Sequence, residues 1–333
     1  NIIVAGAANQ LTTLGNVYSS PSDVSAASFS SAGPRKDGAI KPDLSAVGVD
    51  MRLTNYSSST TYNSTSTGSG TSYSAPIITG VAGALTQIKR SLSANTTFKF
   101  KADEMKALLT HTANEAGPNP GPDVSFGWGF VDAKAGAQLL IDNNNNLNIF
   151  QRRTLTSGVP YTRVVKAVAG KPLKVSISWI DPAGTSFTTS NDLQNNRTSK
   201  LVNDMDLKIV DMVTNQEYLP WKLDALNPVA AATKGNNTVD NIEQVLIDAP
   251  VAERLYRIEV SNKGTLVNAS GTPTPQNYAF IATGYDPSYI LSTSETSLKD
   301  AIAIYPTMVE DFLTIVISGK ADKISIFDMS GKI

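Results

Sequence analysis

The chain has 333 residues, 41% of them hydrophobic and only 17% charged, with a net charge of −1 and no cysteine. That is enough apolar material for about two or three domains with real cores, and it excludes disulfides, thiol catalysis and cysteine-ligated metals. No basic block marks a nucleic-acid partner, and no apolar run reaches the roughly 18 residues that a bilayer span needs.

The first run, "NIIVAGAA" (1–8), is apolar and β-branched and reads as a strand. Residues 25–48 are loop-rich, with Gly33-Pro34 and Lys41-Pro42 as turn signals; Asp37 and Asp43 read as carboxylates that order these turns. Gly68 and Gly70 permit a tight turn before Ser72, and a helix crowded with small residues (Gly80, Ala82, Gly83, Ala84) follows. Pro76 is expected in its first turn, where a missing N–H costs nothing. In "KADEMKALLTHTA" (101–113), Met105, Leu108 and Leu109 recur at helical spacing, with Asp103 and Glu104 in the first turn. "GWGFVDAKAGAQLLID" (127–142) is a glycine turn leading into another helix. Strand–loop–helix alternation predicts an α/β unit over 1–145.

Composition changes at "DNNNNLN" (142–148), a polar boundary. From 150 to 286, short alternating strands such as "LKVSISWI" and "LYRIEVS" are punctuated by Gly, Pro and Asn turns, which predicts an all-β sandwich or jelly roll. Residues 287–300 read as a polar linker, and 301–333 again carry strand character. The whole is therefore expected to be multi-domain: partial α/β, then all-β, then an incomplete small β-sandwich.

Ser72 admits two readings. As an N-cap it would accept a hydrogen bond from its own helix, a role serine favours. As a nucleophile it would use the same helix N-terminus, whose free N–H groups and dipole favour developing negative charge. The first reading is the commoner use of such a serine.

"GTSYSAP" (70–76) resembles the nucleophile motif of the subtilisin family of serine proteases, Gly-Thr-Ser followed by small or apolar residues and Pro. That family is itself an example used for the serine triad in general accounts of catalysis. Four further segments resemble the family in order: "NIIVAGAA", "ASFSSAGPRKDGAIKPDLSAVG", "MKALLTHTA" and "GWGFVDAKAGAQLL", together covering about 1–142. Three departures stand out. Val47 replaces a usual proline, Tyr73 a common methionine, and Ser74-Ala75 inverts the usual small pair. The resemblance implies that Ser72 is the nucleophile, that its backbone N–H serves the oxyanion hole, and that Gly70, Thr71 and Pro76 support it. It implies a serine endopeptidase that cleaves protein substrates through an acyl-enzyme and requires no cofactor.

The family order is Asp, His, Ser, so the resemblance puts the Asp, the His and the oxyanion Asn before residue 1. The chain begins with Asn and ends inside a strand–turn pattern, and is read as a piece of a longer protein, inactive by itself. The single histidine, His111, matches no catalytic position and is expected to be a partly buried helix-end residue.

Residues 150–286 resemble the β-barrel or jelly-roll domain that follows the catalytic domain in some bacterial subtilases, broadly like the P domain of proprotein convertases. "LKVSISWIDPAG", "LVNDMDLKIV" and "DNIEQV" carry this resemblance, which implies a stabilising accessory domain. Asp204 and Asp206 are two apart and face one side of a strand. With Asp240 and Glu243 they are read either as an oxygen-rich structural calcium site or as ordinary solvated carboxylates. The tail, with "IYP" (304–306) and "SIFDMSGKI" (325–333), resembles the C-terminal sorting domain of type IX secretion in Bacteroidetes, although Thr307-Met308 replaces the usual Asn-Pro. It implies export across the outer membrane, and that secretion machinery as a partner. Two other functions remain open: a pseudoprotease that kept the fold, and a surface-adhesion or glycan-binding module using the β-region.

Overall fold

The computed structural model describes residues 2–11, 15, 17–55, 58, 60, 64–186, 188–191 and 196–289, with the backbone of two strands at 302–305 and 314–317. It divides into two compact units, Asn1–Tyr289 and Ile290–Ile333.

In the first unit, β1 (Ala5–Ala8) and β2 (Leu44–Val47) run parallel, with Ala5 opposite Leu44. The far side of β2 is joined at Ser45, whose N–H donates to Gly129 O and whose carbonyl accepts from Val131 N–H, both at 2.9 Å. A hairpin of β3 (Met51–Asn55) and β4 (Ser64–Gly68) then delivers the chain to α1 (Thr71–Ser93). Two shorter helices follow, α2 (Ala102–Thr112) and α3 (Ala133–Asn144). Each begins on a carboxylate: Glu104 accepts Lys101 N–H at 2.7 Å, and Asp132 accepts Ala135 N–H at 2.9 Å. Both satisfy first-turn donors that no intrahelical carbonyl can reach.

The β-region runs as β5 (Ile149–Leu155), β6 (Tyr161–Lys166), β7 (Leu173–Trp179), β8 (Met205–Asp211), β9 (Glu217–Tyr218), β10 (Trp221–Lys222), β11 (Thr233–Lys234), β12 (Ile242–Ile247), β13 (Leu255–Asn262) and β14 (Gln276–Thr283). Two four-stranded antiparallel sheets form, in the orders β12-β7-β14-β5 and β6-β13-β8-β9, with β10 and β11 as a small separate pair. Their facing side chains make one core that includes Val175, Ile177, Trp179, Leu207, Ile209, Ile258 and Phe280.

The strand alternation explains how this region meets the helices. On β7, Val175, Ile177 and Trp179 point into the sandwich core, so Ser176 and Ser178 point the other way. Yet both serines are 0% exposed. The sheet is covered on both faces: α2 lies on the side of Ser176, Ala279, Ile281 and Thr283. Ile242, Ala279 and Ile281 accordingly share a second core with Leu44, Leu85, Leu108, Leu140 and Trp221. The polar stretch 142–148 is a boundary in composition, but the apolar core runs across it.

The second unit shows β15 (Ile302–Tyr305) paired antiparallel with β16 (Thr314–Ile317). The rest of the tail, including Thr307-Met308 and "SIFDMSGKI", and most of the expected linker 287–300 lie outside the described residues.

Candidate active site

Ser72 is the second residue of α1, and the N-cap is Gly70. Its side chain is exposed, and among the described residues its Oγ holds no hydrogen bond. Ser72 is thus not the cap of its helix, and the capping alternative fails. Its N–H lies in the first turn, where no intrahelical acceptor exists. An exposed hydroxyl and a free N–H at the positive end of a 23-residue helix suit attack on a carbonyl once a base activates the hydroxyl. Pro76 is not in the first turn but inside the helix. It therefore removes one backbone bond, to the carbonyl of Ser72.

The position of Ser72 is set from beneath. Ser74 Oγ is buried and donates to Gly6 O at 2.6 Å, tying the first turn of α1 to β1. Gly70 N–H donates to Gly48 O at 2.8 Å, and Gly48 N–H to Ala8 O at 2.9 Å. Gly48 is required there, since a Cβ would lie 2.7 Å from Ala7 Cβ and 2.8 Å from Gly70 O. In sequence Ser74 stands out only as half of an inverted small pair: two serines at i and i+2 on a helix look alike until the packing distinguishes the buried one from the exposed one. A surface groove of about 400 Å³ runs beside Thr71, lined in part by Phe29, Pro34, Arg35 and Pro42.

His111 is not a base for Ser72. It is 4% exposed at the C-terminal end of α2, more deeply buried than expected. Nδ1 lies 2.8 Å from Ser176 Oγ, and Nε2 lies 3.0 Å from Thr283 Oγ1. Burial, then the nearby Lys174 ammonium, holds its pKa well below the ordinary 6.5. Lys174 Nζ also donates to His111 O at 2.7 Å, satisfying a carbonyl at the negative end of α2.

Asp37 and Asp43 do more than order turns. Asp37 pairs with Arg35 at 2.6 Å and also accepts Lys200 N–H at 3.2 Å from the β-region. Asp43 is 1% exposed and binds Lys41 at 2.6 Å, Lys106 at 2.8 Å and Val4 N–H at 2.8 Å. Burial raises its pKa, but Lys106 and Lys41 outweigh burial and hold the carboxyl below its ordinary range.

The four carboxylates considered for calcium do not come together. Asp240 precedes β12 and Glu243 lies on it, and their hydrogen bonds take them to opposite sides. Asp240 turns toward the helices, accepting Ile40 N–H and Asn237 Nδ2 at 2.9 Å each. Burial pushes it up to about 6. Glu243 turns into the sandwich and accepts Leu207 N–H at 2.6 Å. Asp204 and Asp206 do share a side, as expected, but both pair with Lys263. Among the described residues no group of three or more His, Cys, Asp or Glu is arranged to hold a metal ion. No helix among them is long and apolar enough to cross a membrane.

No curated protein matches the chain. Among solved structures, the Yersinia pseudotuberculosis-derived mitogen aligns at 11% identity over 42% of this chain and 86% of that one, with a TM-score of 0.23. PliG of Aeromonas hydrophila, a periplasmic inhibitor of g-type lysozyme, aligns at 13% identity over 41% and 84%, with a TM-score of 0.21. Scores this low carry no weight for the fold. Residues 1–129 match the model of the Subtilase family, so the N-terminal region is similar to the domain of these serine proteases, and a mostly-β region of several sheets follows it.

Proposed function

We propose that the protein acts as a serine endopeptidase with Ser72 as nucleophile, its triad completed by an Asp and a His on polypeptide outside these 333 residues. The observation that carries this reading is the state of Ser72: exposed, not used as a cap, and seated at a helix N-terminus that Ser74 and Gly48 hold in place. In the reaction, Ser72 Oγ attacks the scissile carbonyl while the histidine takes its proton. The Ser72 N–H donates to the oxyanion, and an oxyanion Asn outside the chain would donate beside it. The histidine then protonates the leaving amine, and water hydrolyses the acyl-enzyme by the reverse sequence.

A second observation supports an absent partner for α1. Ala75, Pro76, Thr79, Gly80, Gly83 and Ala84 form an exposed stripe of small residues on this helix. A Cβ added at Gly80 or Gly83 would meet nothing within 4 Å. Small residues on a long helix normally permit close packing, and the upstream polypeptide is the element this stripe would receive.

The β-region serves as an intramolecular brace for α2 and, through the shared core, for α1. The protein is secreted or surface-exposed, and the tail addresses it to type IX secretion. Its partners are peptide substrates and that machinery. The test is fluorophosphonate labelling of the full-length protein. Labelling that disappears in Ser72→Ala supports the proposal. A folded full-length protein that does not label favours the pseudoprotease reading instead.

A further inference from the structure

The two strand carboxylates expected to hold a calcium ion already face a cation. Lys263 follows the end of β13, and its ammonium meets three oxygens. Nζ lies 2.5 Å from Asp206 Oδ1, 2.9 Å from Asn236 Oδ1 and 3.3 Å from Asp204 Oδ2. An ammonium has three N–H donors, and here each has an acceptor. The backbone locks the same pair of segments, with Lys263 N–H donating to Asp204 O at 2.9 Å.

Behind this group sits Glu243, 0% exposed, its Oε2 on Leu207 N–H of β8 and its Oε1 without a hydrogen-bond partner. Asp204 Oδ1 is likewise buried without one. Asp204, Asp206 and Glu243 come from β12 and from β8 and its leading edge, so they span both sheets of the sandwich. Carboxyl groups that feel one another's charge in a buried setting resist ionisation unless a positive charge neutralises them. Burial, together with the charges of Asp206 and Asp204, pushes Glu243 well above the ordinary carboxyl range.

We propose that Lys263 is the internal cation of the β-region: its ammonium takes the place of a divalent ion between Asp204, Asp206 and Asn236, and the region folds independently of metal. The ammonium already occupies the point where Asp204 Oδ2, Asp206 Oδ1 and Asn236 Oδ1 converge, so a cation could reach these oxygens only once it is gone. Removing the ammonium without shortening the side chain should uncover the site.

The experiment compares thermal unfolding of the 333-residue chain in millimolar calcium and in EGTA, for the wild type and for Lys263→Met. The wild type should melt at one temperature in both. Lys263→Met in EGTA should lose about 3–6 °C, and calcium should restore most of that loss. A wild-type midpoint that rises with calcium would overturn the proposal, because the ion would then displace the lysine. So would a Lys263→Met midpoint unchanged in EGTA, or lowered but indifferent to calcium. Should Lys263→Met not fold in either condition, the double variant Asp206→Asn/Lys263→Met decides. Recovery of folding without calcium supports uncompensated charge as the defect, and failure to recover rejects it.

Discussion

At the scale of single residues, the clearest energetic lever is Asp43. It is the common partner of Lys41 and Lys106, and Lys106 is 7% exposed. Asp43→Ala leaves two ammonium groups facing each other in a low-dielectric pocket. The expected loss is about 3–5 kcal/mol, read by chemical denaturation. Because the folded carboxyl is held below its ordinary value, its contribution is present at neutral pH and is lost as pH falls through the folded value. Asp240 has the opposite sign. Raised from 3.8 to about 6, it contributes stability fully present below 3.8 and lost as pH rises through about 6. The gap corresponds to roughly 3 kcal/mol at most. Asp240→Asn should therefore flatten the difference in melting temperature between about pH 5 and about pH 8. An unchanged difference would show that Asp240 does not titrate in that window. His111 adds an acid-side limb, since its lowered pKa contributes stability present above 6.5 and lost as pH falls.

At the scale of elements, α1 tests the proposed function directly. Gly80 and Gly83 each cost a helix about 1 kcal/mol relative to alanine, and neither is near another atom that a Cβ would meet. Gly83→Ala should therefore stabilise the 333-residue chain by about that amount. In the full-length protein the same substitution should destabilise, because the stripe would then be covered. Stabilisation in both would argue that nothing packs on this face. Gly136 on α3 is the contrasting case: a Cβ there would stand 3.0 and 3.2 Å from the two methyls of Leu85 on α1. Gly136→Val should cost about 1–3 kcal/mol by overpacking this crossing.

At the scale of the molecule, Asn1–Tyr289 is one compact unit despite its change of character near residue 145. Apolar residues of α1, α2 and α3 share a core with β12 and β14. Polar ties reinforce it: His111 with Ser176 and Thr283, Arg152 with Asp103 at 3.1 Å, and Asp240 with Ile40. The unit should unfold in a single calorimetric transition. A chain ending at residue 145 should lose cooperative folding, with α2 open to limited proteolysis. Two separate transitions would contradict a common core.

Local pattern was enough for much of this. The three helices, the acidic first turn of α2 and the strand-rich second half follow from short-range spacing and propensity, which act over a few residues; the nucleophile reading of Ser72 came from the resemblance of its motif. Long-range packing decided the rest. Whether Ser72 caps its helix depends on where α1 begins, and that is set by Gly70 meeting Gly48, 22 positions earlier by the numbering. The alternation of Val and Ser on β7 reads as a half-exposed strand, but both faces are buried because α2 covers the serines. Two carboxylate pairs, Asp204 with Asp206 and Asp240 with Glu243, read as a possible ion site if the fold brought them together. Only the packing separates Asp240, held by Ile40 and Asn237, from Glu243, held by Leu207, and only the pairing of β13 with β8 brings Lys263 to Asp204 and Asp206. Spacing along a chain specifies which face a side chain takes; what waits on that face is specified by residues a hundred positions away.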